Sequence, residues 1–478
     1  MTTDTAAIPA AAAAAPEPVT IPTRLRELAQ SQGDQPAATD DNRTLTYAEI
    51  HREATRLARV YRDRGVQVGD IVTIAMPSDT TMLVAILAAW FVGATPQGLS
   101  PKTSPAELAA IVEVSKPGLV VGVEVPGAPC LPSTSALAAQ SDEPLPDVMS
   151  PAWKAPTSGG STGRPKVIVA AAPANVPALL GFAALVRIRP GDTTLMTAPM
   201  HHNAPFMWSA LTLLQGGHVV LAGRFDPERT LELLDDVRAK YDVSTVHTAY
   251  HMAAPCPVWV KEHWIGWLGA DAICELYAGT EGQAATTITG TEWLEHRGSV
   301  GTVQFGEMVI LDDDGNPVPA GTTGEIWLRA AAGATYSYLG ADAKVRDGGW
   351  ESLGDIGHFD ADGYLYISDR LADMVLVGGV NVFPAEIEAA LEEHPAVDGS
   401  VVIGLPDDDL GNRLHALVHL SSSDGEGPDD AALIAWCSER LSKHKVPRTF
   451  ERVDQPLRNE SAKVQRGALR AARLTPST

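Results

Sequence analysis

Residues 157–168 read TSGGSTGRPKVI, with three glycines and four Ser or Thr hydroxyls ahead of a Pro165–Lys166 pair. Two common phosphate-binding patterns can be set against it. A Walker loop needs G-x4-G-K-[ST], but here Lys166 follows Pro165 and precedes Val167, and a dinucleotide G-x-G-x-x-G does not fit either. What remains is a run of backbone N–H groups with several hydroxyl donors and one lysine, chemistry suited to the polyanionic end of a nucleotide. A surface linker has the same composition, so the rest of the chain decides.

The chain has 478 residues, enough for two or three domains with at least one large core. Hydrophobic residues make up 45% and charged residues 20%, a globular balance. Against 36 basic residues stand 59 acidic ones, a net charge of −23. General nucleic-acid binding and adhesion to an anionic membrane both need a basic footprint, so this balance argues against them. It leaves room for a phosphorylated ligand held by local cations. The cysteines at 130, 256, 274 and 437 are scattered, with no CxxC pair and no histidine cluster at zinc spacing, which argues against a disulfide framework or a structural metal. The longest apolar run, MLVAILAAWFVGA at 82–94, is too short to span a bilayer and predicts a buried helix. Residues 1–21 are Ala- and Pro-rich without the basic start of a signal peptide and read as a disordered tail. A reduced, cytoplasmic protein is the expectation.

Hydrophobic periodicity orders the remainder. TLTYAEIHREATRLARVYRDRG sets Tyr47, Ile50, Ala54, Leu57 and Tyr61 on one helical face, with Thr46 and Glu49 as a capping box and Gly65 as the stop. VGDIVTIAMP reads as a buried strand, and SPAELAAIVEVSKPGLVVG as helix then strand, an alternation that predicts parallel α/β sheets. From about residue 301 to 369 the chain turns Gly- and Asp-rich; LDDDGNPVPAGTTGEIWLR and HFDADGYLYISDR predict strands joined by tight turns in a small antiparallel β subdomain. After Arg370, DMVLVGG, PAEIEAALEEHP, SVVIGL, LHALVHL and AALIAWCSERL predict a compact α+β unit with a basic tail.

Further segments bear on the opening stretch. LYAGTEGQ (276–283) places a Thr hydroxyl beside a carboxylate, a pair able to meet a phosphate oxygen and a hard cation. WESLGDIG (350–357), YLYISDRLADMVLVGGVNVFPAEIE (364–388) and PLRNESAKVQRGALR (456–470) follow. In this order, with LTYAEI, GVQVGD and KVPR, these segments resemble the adenylate-forming superfamily of acyl-CoA synthetases, stand-alone adenylation domains and luciferases, over residues 22 to 470. The phrases LYAGTEGQ and TGTEWLEHRGSVG look most like synthetases for bulky acids such as bile acids and steroid side chains.

The resemblance implies an α/β fold. It has a large N-terminal AMP-binding domain (22–369) of stacked sheets with flanking helices and a small barrel-like β subdomain (about 301–369), then a mobile α+β C-terminal domain (370–478). It implies ATP-dependent activation of a small-molecule carboxylic acid to an acyl-adenylate, with Mg²⁺, followed by transfer to coenzyme A; a homo-oligomer is left open. Thr157, Ser158, Gly159, Gly160, Ser161, Thr162, Gly163 and Lys166 would cradle the β and γ phosphates. Thr280 would meet the α-phosphate and Glu281 hold Mg²⁺; Asp355 would bond the ribose hydroxyls, joined by Arg370. Tyr277 and the Ala253–Ala254–Pro255 turn would line the adenine, and Lys463 would reach the reacting carboxylate. His202 and Gly279 fall on the acyl pocket, and Gly378–Gly379 on the pantetheine tunnel. Lys443, Lys445 and Arg448 could bind CoA phosphates or be plain surface charge. The stretch from Met200 to Trp208 carries no acid to pair a substrate ammonium, which favours a neutral-tailed acid over an amino acid.

Three departures qualify this reading. The hinge position after Arg370 holds Ala372 where the family has Asp or Lys, and Ala462 stands where a glycine usually precedes the catalytic lysine. Near 236–240 the chain joins directly across a place where the family inserts a buried strand, a loop and a helix, roughly 20 residues by ordinary element lengths. An enzyme that loads a carrier protein, or a nucleotide-binding chain that has lost catalysis with that segment, are therefore the alternatives.

Overall fold

The computed structural model describes residues 17–134, 140–159, 165–222, 244–253, 256, 258–370, 373–378, 380–407, 409–421, 427–455, 457–458, 464 and 466–474. Two compact units emerge, one from Met1–Thr157 with Val169–Arg224, the other from Ser158–Ile168 with Phe225–Thr478.

In the first unit the strands Thr95–Leu99, Ile71–Ala75, Leu119–Val121 and Cys130–Leu131 lie side by side in that order, all parallel. A second sheet runs Thr44–Thr46, Pro36–Thr39, His218–Leu221, Thr193–Met196, parallel except for its first pair. The helix Tyr47–Asp63 forms where the periodicity puts it. Thr46 and Glu49 close the expected capping box, the face from Tyr47 to Tyr61 is wholly buried, and Gly65 at φ +91° takes the chain away. Each large side chain on that face contributes about 1.5–3 kcal/mol through burial. The apolar run becomes the helix Thr80–Phe91, capped by Asp79 and buried on every side, so it is core. Among the described residues no helix is long and apolar enough to cross a membrane.

The second unit has a sheet of Ala249–Met252, Ile273–Ala278, Ala285–Thr289 and Thr302–Phe305, whose first pair is parallel and the rest antiparallel. Beside these in sequence is a five-stranded antiparallel sheet. The ten-residue strand Trp350–Phe359 pairs with Gly324–Arg329, Lys344–Arg346 and Leu365–Arg370, and Glu307–Leu311 flanks Gly324–Arg329. Its core includes Ile310, Ile326, Leu328 and Leu365. Tyr336–Leu339 leaves that sheet and pairs with the strand that starts at Pro165.

Beyond Arg370 the long hairpin Val397–Asp407/Gly411–Leu420, with Thr449–Arg452 added in parallel, carries helices on both faces. Alternation decides which residue faces which helix. Val402 packs with Ile387, Leu391 and Leu433, while Val401, Ile403 and Leu405 pack with Val464 and Leu469.

One sequence expectation needs correction. Residues 17–21 are not tail: Val19 donates its N–H to Asn175 Oδ1 and Thr20 caps the helix Ile21–Ser31, because Ile21, Leu25 and Leu28 form an apolar stripe that needs burial. The basic tail forms the strand Thr449–Arg452 and the helix Arg466–Leu474. Its arginines are not solvated charge. Arg466 forks onto both oxygens of Glu388 at 2.7 Å and reaches Asp373 at 2.9 Å, and Arg473 grips Glu451.

Glu388 is 4% exposed and also accepts the Val402 N–H, with Arg458 at 3.8 Å as a second, more distant cation, so Arg466 is its main charged partner. Removing one partner of such a buried pair costs about 3–5 kcal/mol. Glu388→Ala is expected to lower the free energy of unfolding by that amount in urea titrations, against a negligible change for the exposed Glu439→Ala.

Candidate active site

The segment LYAGTEGQ folds as a hairpin end. Strand Ile273–Ala278 pairs antiparallel with Ala285–Thr289, and Gly282 donates its N–H to the Gly279 carbonyl, leaving Thr280 and Glu281 at the tip. Gly282 sits at φ +74°, a region open to glycine. Gly279 keeps the corner open: a Cβ there would lie 2.4 Å from Leu353 Cδ1 and 3.0 Å from Glu281 Oε2, so both side-chain ends would have to shift.

Two clusters form around this hairpin. In the first, Asp355 is 5% exposed and lies opposite Arg370 in register. Tyr277 donates its hydroxyl to Asp355 Oδ2 at 2.8 Å, and Arg370 Nε approaches Oδ1 at 3.1 Å. Burial, and then the Asp355 charge, hold the Tyr277 phenol well above its ordinary value, so it stays a donor. In the second, Lys166 Nζ lies 3.3 Å from Glu281 Oε1 and 2.9 Å from the Tyr338 hydroxyl, which itself donates to Glu281 Oε1. Five of the residues singled out from sequence thus meet in two groups, and Tyr338 is an addition.

At the loop's other end, Thr157 is anchored within the first unit. Gln97, fully buried, donates to Thr157 Oγ1 at 2.9 Å and accepts from Thr73. The short strand Thr157–Gly159 begins the loop; the side chain of Ser158 and residues Gly160, Ser161, Thr162 and Gly163 lie outside the described part. Ala254, Pro255, Gly379, Ala372, Ala462, Lys463 and the 236–240 junction also lie outside it. Ala253 takes φ +74°, a left-handed conformation that costs a residue with a Cβ about 1–2 kcal/mol, at the position where the resembled turn has glycine. Gly378 turns the hairpin Val375–Val377/Val380–Val382 at φ +57°.

His202 occupies the N-cap position of the helix Asn203–Leu214 without a side-chain capping bond, its ring 4.2 Å from that of His201. Both line a small cleft with Gly98, Met200 and Phe206, and with Lys154, which donates to Asn203 Oδ1 at 2.5 Å. Sequence reasoning passed over Lys154 and Gln97, single polar residues in apolar surroundings. A buried polar residue between strands was the available signal. Lys445 is paired with Glu386 and Arg448 with Asp407, which accounts for two of the three basic candidates as ordinary surface pairs.

The strand Ala249–Met252 forms one edge of its sheet among the described residues, next in sequence to exposed Val246, Val258 and Trp259. Inside it, Lys261 (1% exposed) donates to Glu275 Oε2 at 2.6 Å, beneath Trp293, and His251 lies across the sheet register from Glu275. Burial, then the Lys261 cation, push the His251 imidazole down to about 4. The unfolded histidine takes up its proton near pH 6.5 and the folded one only near pH 4, so between these values the unfolded state binds more protons and stability falls as pH falls. Urea titrations are expected to show a loss on the order of 2 kcal/mol between pH 7.5 and pH 5 from this group, removed by His251→Gln.

The profile of the AMP-binding enzyme family matches residues 25–241 and 231–339, and that of the AMP-binding enzyme C-terminal domain matches 386–463. The first match breaks and resumes at 231–241, the place where the chain reads as shortened. The 2-succinylbenzoate–CoA ligase of Bacillus licheniformis is 27% identical, over 94% of this chain and 99% of that protein. The 3-[(3aS,4S,7aS)-7a-methyl-1,5-dioxo-octahydro-1H-inden-4-yl]propanoyl:CoA ligase of Rhodococcus jostii is 28% identical, over 95% and 99%. Among solved structures, the o-succinylbenzoate CoA synthetase of Bacillus subtilis with its acyl-adenylate superposes with a TM-score of 0.79 at 24% identity, over 93% of this chain and 97% of that one. With most of its length matched in this way, the chain belongs to the AMP-binding enzyme family of adenylate-forming proteins.

Proposed function

We propose that the chain is an AMP-forming acid–thiol ligase: it activates a carboxylic acid with ATP, releases pyrophosphate, and passes the acyl group to coenzyme A. The observation that carries this reading is the pair of clusters on one hairpin, Glu281 with Lys166 at its tip and Asp355 held between Arg370 and Tyr277 of the strand leading into that tip. In the first half-reaction a carboxylate oxygen bonds to the α-phosphorus as the bond to pyrophosphate breaks. In the second, the CoA thiolate adds to the acyl carbon and AMP leaves. Fixed cations facing the phosphates stabilise the charge that builds on the oxygens.

Residues 157–163 and Lys166 hold the β and γ phosphates, and Thr280 meets the α-phosphate. Asp355 and Arg370 take the ribose, and the turn at 253–255 with Tyr277 takes the adenine. Lys463 reaches the reacting carboxylate from a C-terminal domain of residues 370–478, which moves against the 22–369 domain about the hinge at Ala372. Gly378–Gly379 keep the pantetheine channel open.

The donor set suits Mg²⁺, which prefers oxygen. Gln283 gives its amide nitrogen to Glu351, which directs its buried Oε1 away, without a hydrogen-bond partner, towards the same Gly279 corner as Glu281 Oε2. Glu281 would hold the ion, which would supply positive charge against the phosphate oxygens.

The substrate is a neutral-tailed carboxylic acid, with a bulky polycyclic acid favoured and medium-chain or aryl acids as the other candidates. Support comes from the absence of an acid between Met200 and Trp208, and from a relative that acts on a methyl-dioxo-octahydroindenyl propanoyl group.

A pyrophosphate-release screen over aliphatic, aryl and polycyclic acids, with and without CoA, tests the reading. Acid-dependent release together with thioester formation is expected. Adenylate formation without CoA consumption would point to a carrier-protein acceptor, and ATP binding without release from any acid to a chain that only binds nucleotide. Lys463→Ala is expected to lose about 10²–10³ in the rate of pyrophosphate release; wild-type rates would remove the assignment. Gly279→Ala pushes on Leu353 and on Glu281, and should cut the same rate about 10–100-fold with little change in melting temperature.

A further inference from the structure

Tyr338 belongs to no sequence motif considered above, yet it occupies the centre of the Lys166–Glu281 cluster. Its hydroxyl donates to Glu281 Oε1 and accepts from Lys166 Nζ at 2.9 Å, while the same ammonium lies 4.2 Å above its ring. The direct Lys166–Glu281 approach is 3.3 Å. That is longer than the roughly 2.7–2.9 Å of an unshared charge-assisted hydrogen bond. The phenol therefore takes up part of what each ion would otherwise give the other.

Its position is fixed from behind. The Tyr336 and Tyr338 rings meet edge to face with centroids 4.6 Å apart. Tyr336 donates to Glu351 Oε2 at 2.7 Å, the oxygen that also receives Gln283 Nε2 at 2.8 Å. The group closes across the strand Tyr336–Leu339, the strand Trp350–Phe359 and the hairpin tip. Burial, and then the Glu281 carboxylate, raise the Tyr338 phenol above its ordinary value, which keeps it a donor.

We propose that Tyr338 is a positioning residue that keeps Glu281 in place for the magnesium-bound nucleotide while Lys166 changes partner from carboxylate to phosphate. The inference rests on the function proposed above. When polyphosphate draws Lys166 away, Glu281 Oε1 retains the phenol and does not follow the lysine. Without the hydroxyl, the only remaining partner of that oxygen in the cluster is the ammonium that has to leave. Lys166 then competes with the metal for the carboxylate. The role is electrostatic sorting, with no covalent step.

The test is calorimetric titration of ATP into the full chain without any acid substrate, in EDTA and at rising Mg²⁺, for wild type and Tyr338→Phe. The Phe variant keeps the ring beneath Lys166 and removes one oxygen. Metal-free ATP affinity should be unchanged, while the Mg²⁺ concentration that half-restores tight binding should rise about 10–100-fold, the usual effect of losing a group that hydrogen-bonds a metal-binding carboxylate. Adding Lys166→Met to Tyr338→Phe removes the competitor and should return the Mg²⁺ midpoint towards wild type, although ATP binds more weakly overall. An unshifted midpoint in Tyr338→Phe overturns the inference. So does an equal loss of metal-free and metal-bound affinity, which would mean a structural role. A wild-type chain whose ATP affinity does not respond to Mg²⁺ would instead remove the functional reading itself. Melting curves of each variant establish that the comparison is between folded chains.

Discussion

The hydrogen bond from Tyr277 to Asp355 joins the two central sheets of the second unit, and the candidate site depends on it. Tyr277 comes from the mixed sheet and Asp355 from the five-stranded antiparallel sheet. A carboxylate 5% exposed is expensive to bury unless its oxygens are occupied. Tyr277 occupies one and Arg370 faces the other. The bond thereby sets the hairpin 273–289 against the strand 350–359, and with it the position of the Thr280–Glu281 tip relative to Leu353 and Glu351. The same contact that satisfies a buried charge also places the site's second cluster.

The second unit repeats this economy. Glu275 is two residues before Tyr277 on the same strand and is held by a fully buried lysine. The strand is therefore held at two points two residues apart, by Lys261 at Glu275 and by Asp355 at Tyr277. In the C-terminal region Glu388 does similar service, taking Arg466 and the Val402 N–H together. Buried carboxylates with complete partner sets do not by themselves add much stability. They discriminate between registers, because a shifted strand would leave them unpaired. Ala249–Met252 lies at a sheet edge among the described residues, and Glu275 of the buried Lys261–Glu275 pair stands on the strand beside it.

Local elements were legible because local rules settle them. The capping box at Thr46, a buried helix in the apolar run at 82–94 and a strand at 400–405 follow from local sequence alone, and the structure has each of them, the helix as Thr80–Phe91. The folded C-terminal stretch was not legible in the same way. Its arginines look like solvated charge until Glu388, Asp373 and Glu451 are brought beside them from distant positions. Residues 17–21 were misread for a related reason, since an Ala- and Pro-rich flank hides the point at which Ile21, Leu25 and Leu28 start an apolar stripe.

The sequence by itself determined the kind of chemistry: a hydroxyl- and glycine-rich loop, a Thr–Glu pair, a Gly–Asp strand and a lysine near the end, in an order shared with adenylate-forming proteins. Spacing along the chain carries such information because each motif is a local backbone shape with its side chains attached. Tertiary structure alone decided which of these residues touch, and which unremarked ones stand between them. Tyr338 is 57 residues from Glu281 and 172 from Lys166, and Gln97 is 60 from Thr157. No periodicity relates positions so far apart. Only the pairing of strands brings a lone phenol or a lone amide to the place where a charge or a loop has to be held.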